Sequence, residues 1–187
     1  MIYLDQAATS YPKPPGVIQA VYETLQHAGN SGRGAHHLSL SASRLIFEAR
    51  CEIADFLGAE DPSRIAFTAN ATESLNLALF GVLHSGDHVI TTELEHNSVL
   101  RPLYSLEKRG VEVTILPANW QGVVDFSALG NHLRSNTRVL VLTHASNVTG
   151  NMVDMEWVGE FCREHGLILI VDAAQTAGFY TYDLKHS

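Results

Sequence analysis

Residues 167–176 read Leu167-Ile168-Leu169-Ile170-Val171-Asp172-Ala173-Ala174-Gln175-Thr176. Five aliphatic side chains run unbroken into a carboxylate, then into small residues and an amide. A run this short, preceded by Gly166, has the pattern of a strand buried on both faces, as in a parallel sheet. Asp172 then falls at the strand's C-terminal end, where open α/β sheets gather their ligands. A charge placed there is costly unless something in the crevice needs it. Asp172 can also cap the turn that follows, and the rest of the chain has to decide between the two.

Upstream, strands and helices alternate. Pro12-Lys13-Pro14-Pro15 opens a helix whose apolar stripe is Val17, Ile18, Val21 and Leu25. Ser41 to Leu57 is a second helix, with Leu45, Ile46, Ala49, Ile53, Phe56 and Leu57 on one face and Gly58 as its stop. Strands are expected over 64–68, 88–92, 111–116 and 138–143. Helices are expected over 72–83, 98–109 and 154–165, with a further one capped by Asp125. This order predicts an α/β fold: a three-layer, mainly parallel sheet with right-handed crossovers and helices on both faces.

Composition narrows the function classes. The 187 residues suffice for one sizeable core, and 12 Lys+Arg against 20 Asp+Glu give a net charge of -8. That balance argues against a nucleic-acid partner, which needs a basic face. The apolar runs are strand-sized, too short for a membrane span. Met1-Ile2-Tyr3-Leu4-Asp5 has no basic region of the kind that opens a signal peptide, so a cytoplasmic protein is expected. Cys51 and Cys162 lie in helix-patterned segments without metal-like spacing, and read as core residues.

Three more signals sit at expected strand ends. Ala69-Asn70-Ala71-Thr72-Glu73-Ser74 puts small and hydroxyl residues at a helix start, where free N–H groups suit a phosphate; an ordinary helix start reads the same way. Glu93-Leu94-Glu95-His96-Asn97 ends the next strand. His96 there can cap a helix, stack on a planar ligand or move protons. Ser146-Asn147-Val148-Thr149-Gly150 is a turn that would bring an amide and hydroxyls to the same edge. Gly29-Asn30-Ser31-Gly32-Arg33-Gly34 lacks the Gly-Lys-Ser/Thr ending of a Walker loop. Together the strand-end signals describe a phosphate site, a flat ring beside His96, and a carboxylate opposite, with Asn147 and Gln175 able to address a ring substituent. Pyridoxal 5'-phosphate (PLP) has these requirements, since a carboxylate at its ring nitrogen keeps the ring an electron sink.

These motifs, in this order, resemble the class V aminotransferase family, and within it the cysteine desulfurase-like PLP enzymes of fold-type I. The markers are Tyr3-Leu4-Asp5-Gln6-Ala7-Ala8-Thr9, Gly32-Arg33-Gly34, Ala71-Thr72-Glu73-Ser74-Leu75-Asn76, Glu93-Leu94-Glu95-His96-Asn97-Ser98, Ser146-Asn147-Val148-Thr149-Gly150 and Val171-Asp172-Ala173-Ala174-Gln175. The resemblance implies that Ala71 and Thr72 hold the phosphate and His96 stacks on the ring, as a catalytic residue. It places Asn147 and Gln175 near the ring hydroxyl and Asp172 at the ring nitrogen, while Ala7 and Ala8 border the substrate. Gln6 stands where the family usually has Asn, and His37 where it often has Arg, so the substrate end departs from the pattern.

The implied activity is removal of sulfur from L-cysteine, giving alanine and an enzyme persulfide. Selenocysteine lyase and aminotransferase are the alternatives within the class. A non-catalytic domain that binds a phosphate ligand is the alternative outside it. A homodimer and a sulfur-acceptor protein are the implied partners. Residues 1–40 would be a lead-in bordering the active site, and 41–187 a partial PLP-binding large domain. The family's cofactor-bearing lysine follows Ser/Thr-x-His well beyond Asp172, and its cysteine and substrate arginine come later still. Of Lys13, Lys108 and Lys185, none matches that lysine, so the 187-residue chain by itself is expected to be inactive.

Overall fold

Thr137–Thr143 (β3) shows why this chain builds a two-sided sheet. Its Val139, Leu140, Val141 and Leu142 are all fully buried. Successive strand residues point to opposite faces. Val139 and Val141 enter one core with Val89, and Leu140 and Leu142 enter another with Ile90. The computed structural model describes residues 2–182 and contains two compact units, the first built from residues up to Ala66 and the second from Phe67–Tyr180.

The second unit holds the sheet. Its strands are β1 (His88–Thr92), β2 (Glu112–Leu116), β3 and β4 (Ile168–Asp172), in the order β2-β1-β3-β4. Every pairing is parallel. Helices α3 (Ala71–Val82) and α4 (Asn97–Glu107) supply Leu75, Leu79, Val99, Leu103 and Leu106 to one core; α5 (Met155–Glu164) supplies Val158 and Cys162 to the other. This is the α/β arrangement expected from the alternation. Asp154 caps α5 by accepting from the Trp157 N–H at 3.1 Å. Chain order reverses between β1 and β3, so the ends of these two strands flank a topological switch point.

In the first unit, α1 (Pro15–His27) buries no residue, and the stripe of Val17, Ile18, Val21 and Leu25 is exposed. Helix α2 (His37–Leu57) buries Ser39, Ala42 and Ala54, and Gly58 ends it at φ 66°, a left-handed position that suits glycine.

Two expected elements are different. Residues 65–68 form no ladder with any described strand. Just before them, Asp61 accepts from the Ser63 N–H and hydroxyl, both at 2.8 Å, and fixes Pro62–Arg64 as a 3-10 turn. Asp125 does not cap an α-helix either. It accepts from the Ser127 N–H at 2.9 Å in a tight turn, and only a short 3-10 segment, Leu129–His132, follows. Side chain-to-backbone bonds of this kind compete with regular structure. Cys162 is buried as expected, whereas Cys51 is only half-buried; both are free thiols. Lys185 lies outside the described residues.

Candidate cofactor site

The sequence-selected residues of the second unit occupy the C-terminal edge of the sheet and the helix starts that follow it. His96 is the N-cap of α4, and its Nδ1 accepts from the Ser98 N–H at 3.1 Å. An Nδ1 that accepts a backbone N–H carries no proton, so the neutral ring has its proton on Nε2. The Ser98 hydroxyl lies 2.7 Å from the same Nδ1 and 2.8 Å from the Thr72 hydroxyl. It therefore donates to His96 and accepts from Thr72, tying the start of α3 to the start of α4. His96 is both cap and exposed ring.

Thr72 belongs to the first turn of α3. Asn70 caps that helix, accepting from the Glu73 N–H at 2.9 Å, and the Glu73 carboxylate accepts from Ala69 N–H at 2.7 Å. No hydrogen bond among the described residues takes up the N–H of Ala71 or Thr72. Unclaimed N–H groups at a helix start are the donors an anion needs.

Asp172 ends β4 opposite Thr143 in the β3 register, and is 8 % exposed. One carboxylate oxygen accepts from the Ala174 N–H at 3.0 Å, and no ion pair among the described residues reaches it. Gln175 sits half-buried on the same turn, which the Thr176 N–H closes onto the Ala173 carbonyl at 2.9 Å. Asn147 is exposed in the turn after β3. There the Ser146 hydroxyl accepts from the N–H groups of Val148 and Thr149, both at 3.2 Å, and Gly150 takes φ 73°. Ala7 and Ala8 belong to the first unit. They are exposed, in a turn where the Ala8 N–H donates to the Asp5 carbonyl at 3.2 Å.

Sequence reasoning did not single out Ser98, Glu95 or His144. Glu95 Oε1 accepts from the Thr92 hydroxyl at 2.7 Å and the Thr143 N–H at 3.0 Å, joining the ends of β1 and β3. Burial pushes the Glu95 carboxyl up to about 7, against the pull of those two hydrogen bonds, with the Asp172 charge adding to the rise. His144 is buried with its ring 5.6 Å from that of Tyr180, and burial lowers its pKa. A serine in the first turn of a helix was the available signal for Ser98. Nothing local marks the other two.

The whole chain from residue 2 to 187 matches the family model described as aminotransferase class-V. The chain belongs to that family. Cysteine desulfurase IscS of Vibrio atlanticus is 39% identical over 191 residues, covering 98% of this chain and 47% of the relative. A probable cysteine desulfurase of Methanothermobacter thermautotrophicus is 36% identical, covering 98% of this chain and 46% of its own length. The apo cysteine desulfurase of Thermococcus onnurineus NA1 superposes with TM-score 0.90 at 35% identity, covering 99% of this chain and 47% of that one. The structure of SspA in complex with cysteine superposes equally well, TM-score 0.90, at 33% identity over 100% of this chain and 54% of that one. The class-V chain thus spans about half the length of the curated relatives it matches.

Class V aminotransferases and cysteine desulfurases depend on PLP. The residues present fit that group. Unclaimed N–H donors suit its phosphate, the exposed His96 ring suits its flat face, and the Asp172 carboxylate, with no cation paired to it among the described residues, suits its ring nitrogen.

Proposed function

We propose that this chain forms the cofactor-binding part of a PLP-dependent cysteine desulfurase-like enzyme. The observation that carries this reading is the linkage of site residues across the switch point. Thr72, Ser98 and His96 form one hydrogen-bonded set, and Glu95, adjacent to His96, reaches Thr143, the register partner of Asp172. When bound, PLP supplies an electron sink for bonds at the substrate's α-carbon.

The residues of this chain then have separate tasks. The N–H groups of Ala71 and Thr72 bind the phosphate. The Thr72 hydroxyl, now bonded to Ser98, would be available to that anion, and Ser98 would keep its bond to His96. His96 stacks on the ring and offers Nε2–H as a donor. The Asp172 carboxylate holds the proton on the ring nitrogen, and Asn147 and Gln175 orient the ring hydroxyl. Ala7 and Ala8 border the substrate. The names of the relatives support L-cysteine as substrate, with alanine and a persulfide as products. A homodimer, a sulfur-acceptor protein and a cytoplasmic location belong to the same reading; for its part, no helix among the described residues is long and apolar enough to cross a membrane.

The test is PLP titration of the full chain, followed by absorbance. Asp172→Ala and His96→Ala are each expected to weaken binding at least about tenfold, the scale of one lost charge-assisted or stacking contact. Both variants binding as the wild type does would overturn the assignment. The 187-residue chain alone is expected to turn over none of these substrates. In an enzyme that also carries the family's lysine and cysteine, sulfide and alanine released from cysteine, against selenide from selenocysteine or amino transfer to a keto acid, separates the three activities.

A further inference from the structure

Glu95 is a titratable side chain of this site to which the proposed chemistry gives no task. It lies three residues beyond the end of β1 and directly before His96, and is 7 % exposed. Its Oε1 alone holds two elements: the Thr92 hydroxyl donates to it from β1 and the Thr143 N–H from β3. Its Oε2 is buried and has no hydrogen-bond partner among the described residues.

A buried carboxylate with one bare oxygen is strongly disfavoured. Protonation removes the charge, and the position of the proton follows from the contacts. Oε1 already accepts two hydrogen bonds, so the proton belongs on Oε2, where it turns an orphan acceptor into a donor. The electrostatic surroundings agree. The charged group acting on Glu95 is Asp172 on β4, which favours the neutral form, while Thr92 on β1 and Thr143 on β3 offer only neutral donors.

We propose that Glu95 is a positioning residue for the cofactor: a neutral carboxylic acid that fixes the spacing of the β1 and β3 ends, holds His96 and Asp172 in register, and provides an O–H donor at those strand ends. In this arrangement Asp172 serves as the anion of the site, with no second carboxylate competing for the ring proton. Burial that keeps one of two neighbouring carboxyls neutral is a recurrent way to give them different roles. The inference rests on the PLP reading above.

Two variants of the full chain test it. Glu95→Gln keeps an acceptor for Thr92 and Thr143 and replaces O–H by an N–H donor; Glu95→Ala removes both. The Gln variant is expected to bind PLP within about twofold of wild type, and the Ala variant at least about tenfold more weakly. The absorbance of bound PLP should change with pH through neutrality in wild type and lose that transition in Glu95→Gln. Infrared difference spectra without ligand should show a carboxylic-acid C=O band at about pH 6 that disappears by about pH 9 and is missing from Glu95→Gln. No acid band at about pH 6, or a Gln variant that titrates as wild type does, overturns the proposal, and so does an Ala variant that binds PLP as tightly. Wild type failing to bind PLP removes the reading on which this one rests; the ligand-free acid band tells that failure from a wrong assignment of Glu95.

Discussion

Glu95 holds its proton more tightly in the folded chain than in an unfolded one, because burial penalises the charged form more than its two hydrogen bonds favour it. Its ordinary value of 4.5 rises to about 7. Between those limits the native state keeps a proton that the unfolded chain has released. Stability therefore falls as pH rises through that window and levels off above it, with a full span of roughly 3 kcal/mol. Urea midpoints measured from about pH 5 to about pH 8 should show this slope in wild type and lose it in Glu95→Gln; equal slopes would contradict the burial argument. The residue scale is also where the sequence said least. In Glu93-Leu94-Glu95-His96 the two glutamates look alike, yet Glu93 is exposed and Glu95 is buried against Thr143, 48 positions away. Asp172 stands out in the sequence because a polar group directly after an apolar run is a local pattern, and His96 because it follows the end of a strand and opens a helix. The partner that buries Glu95 is not local.

The elements obey the same division. Strand β1 was legible near His88–Thr92 because the segment follows the turn signal at Gly86, and its residues alternate between the two cores. Residues 64–68 have strand composition too, but strand propensity describes a surface that needs a neighbour, and no described strand pairs with them. His88 shows what a neighbour adds. It is fully buried at the first position of β1, with Nδ1 2.8 Å from the Thr137 hydroxyl on β3 and Nε2 2.8 Å from the Thr114 hydroxyl on β2. One ring thus joins three strands at the edge opposite the cofactor site, beside the Arg134–Glu112 ion pair. A neutral imidazole can donate at one nitrogen and accept at the other. Burial lowers the His88 pKa below its ordinary 6.5, with the Arg134 charge acting in the same direction. The unfolded chain consequently takes up this proton first as pH falls. The contribution of His88 is complete above 6.5 and is lost as pH drops from there through the lower folded value. His88→Ala is expected to cost about 2 to 3 kcal/mol at about pH 8, and to flatten the acid side of the stability profile. Guanidinium denaturation at about pH 8 and about pH 5.5 checks both; an unchanged acid slope would remove His88 as its source.

For the molecule as a whole, the surface is as informative as the core. The apolar stripe of α1 was read correctly as a stripe, and it is not buried: Val17, Ile18 and Val21 are more than half exposed and Leu25 is 81% exposed. On the sheet, β4 pairs with β3 on one side, and Ile168 at its start is partly exposed. A row of exposed aliphatics and an edge strand with no second ladder among the described residues each favour association with another chain. The charge of -8 opposes this, but exposed charges are screened over about 10 Å at moderate ionic strength, whereas apolar burial is not. We expect the 187-residue chain to self-associate, with the weight-average mass in sedimentation velocity rising with concentration and persisting in added salt. Val21→Glu with Leu25→Glu places charge in the middle of the stripe and changes none of the residues assigned to the cofactor site. This variant should shift the distribution toward monomer by several-fold while leaving PLP binding intact. A wild-type chain that stays a monodisperse, cooperatively unfolding monomer over the whole concentration range would show that these faces are tolerated by water, and that the stripe exists for the helix alone.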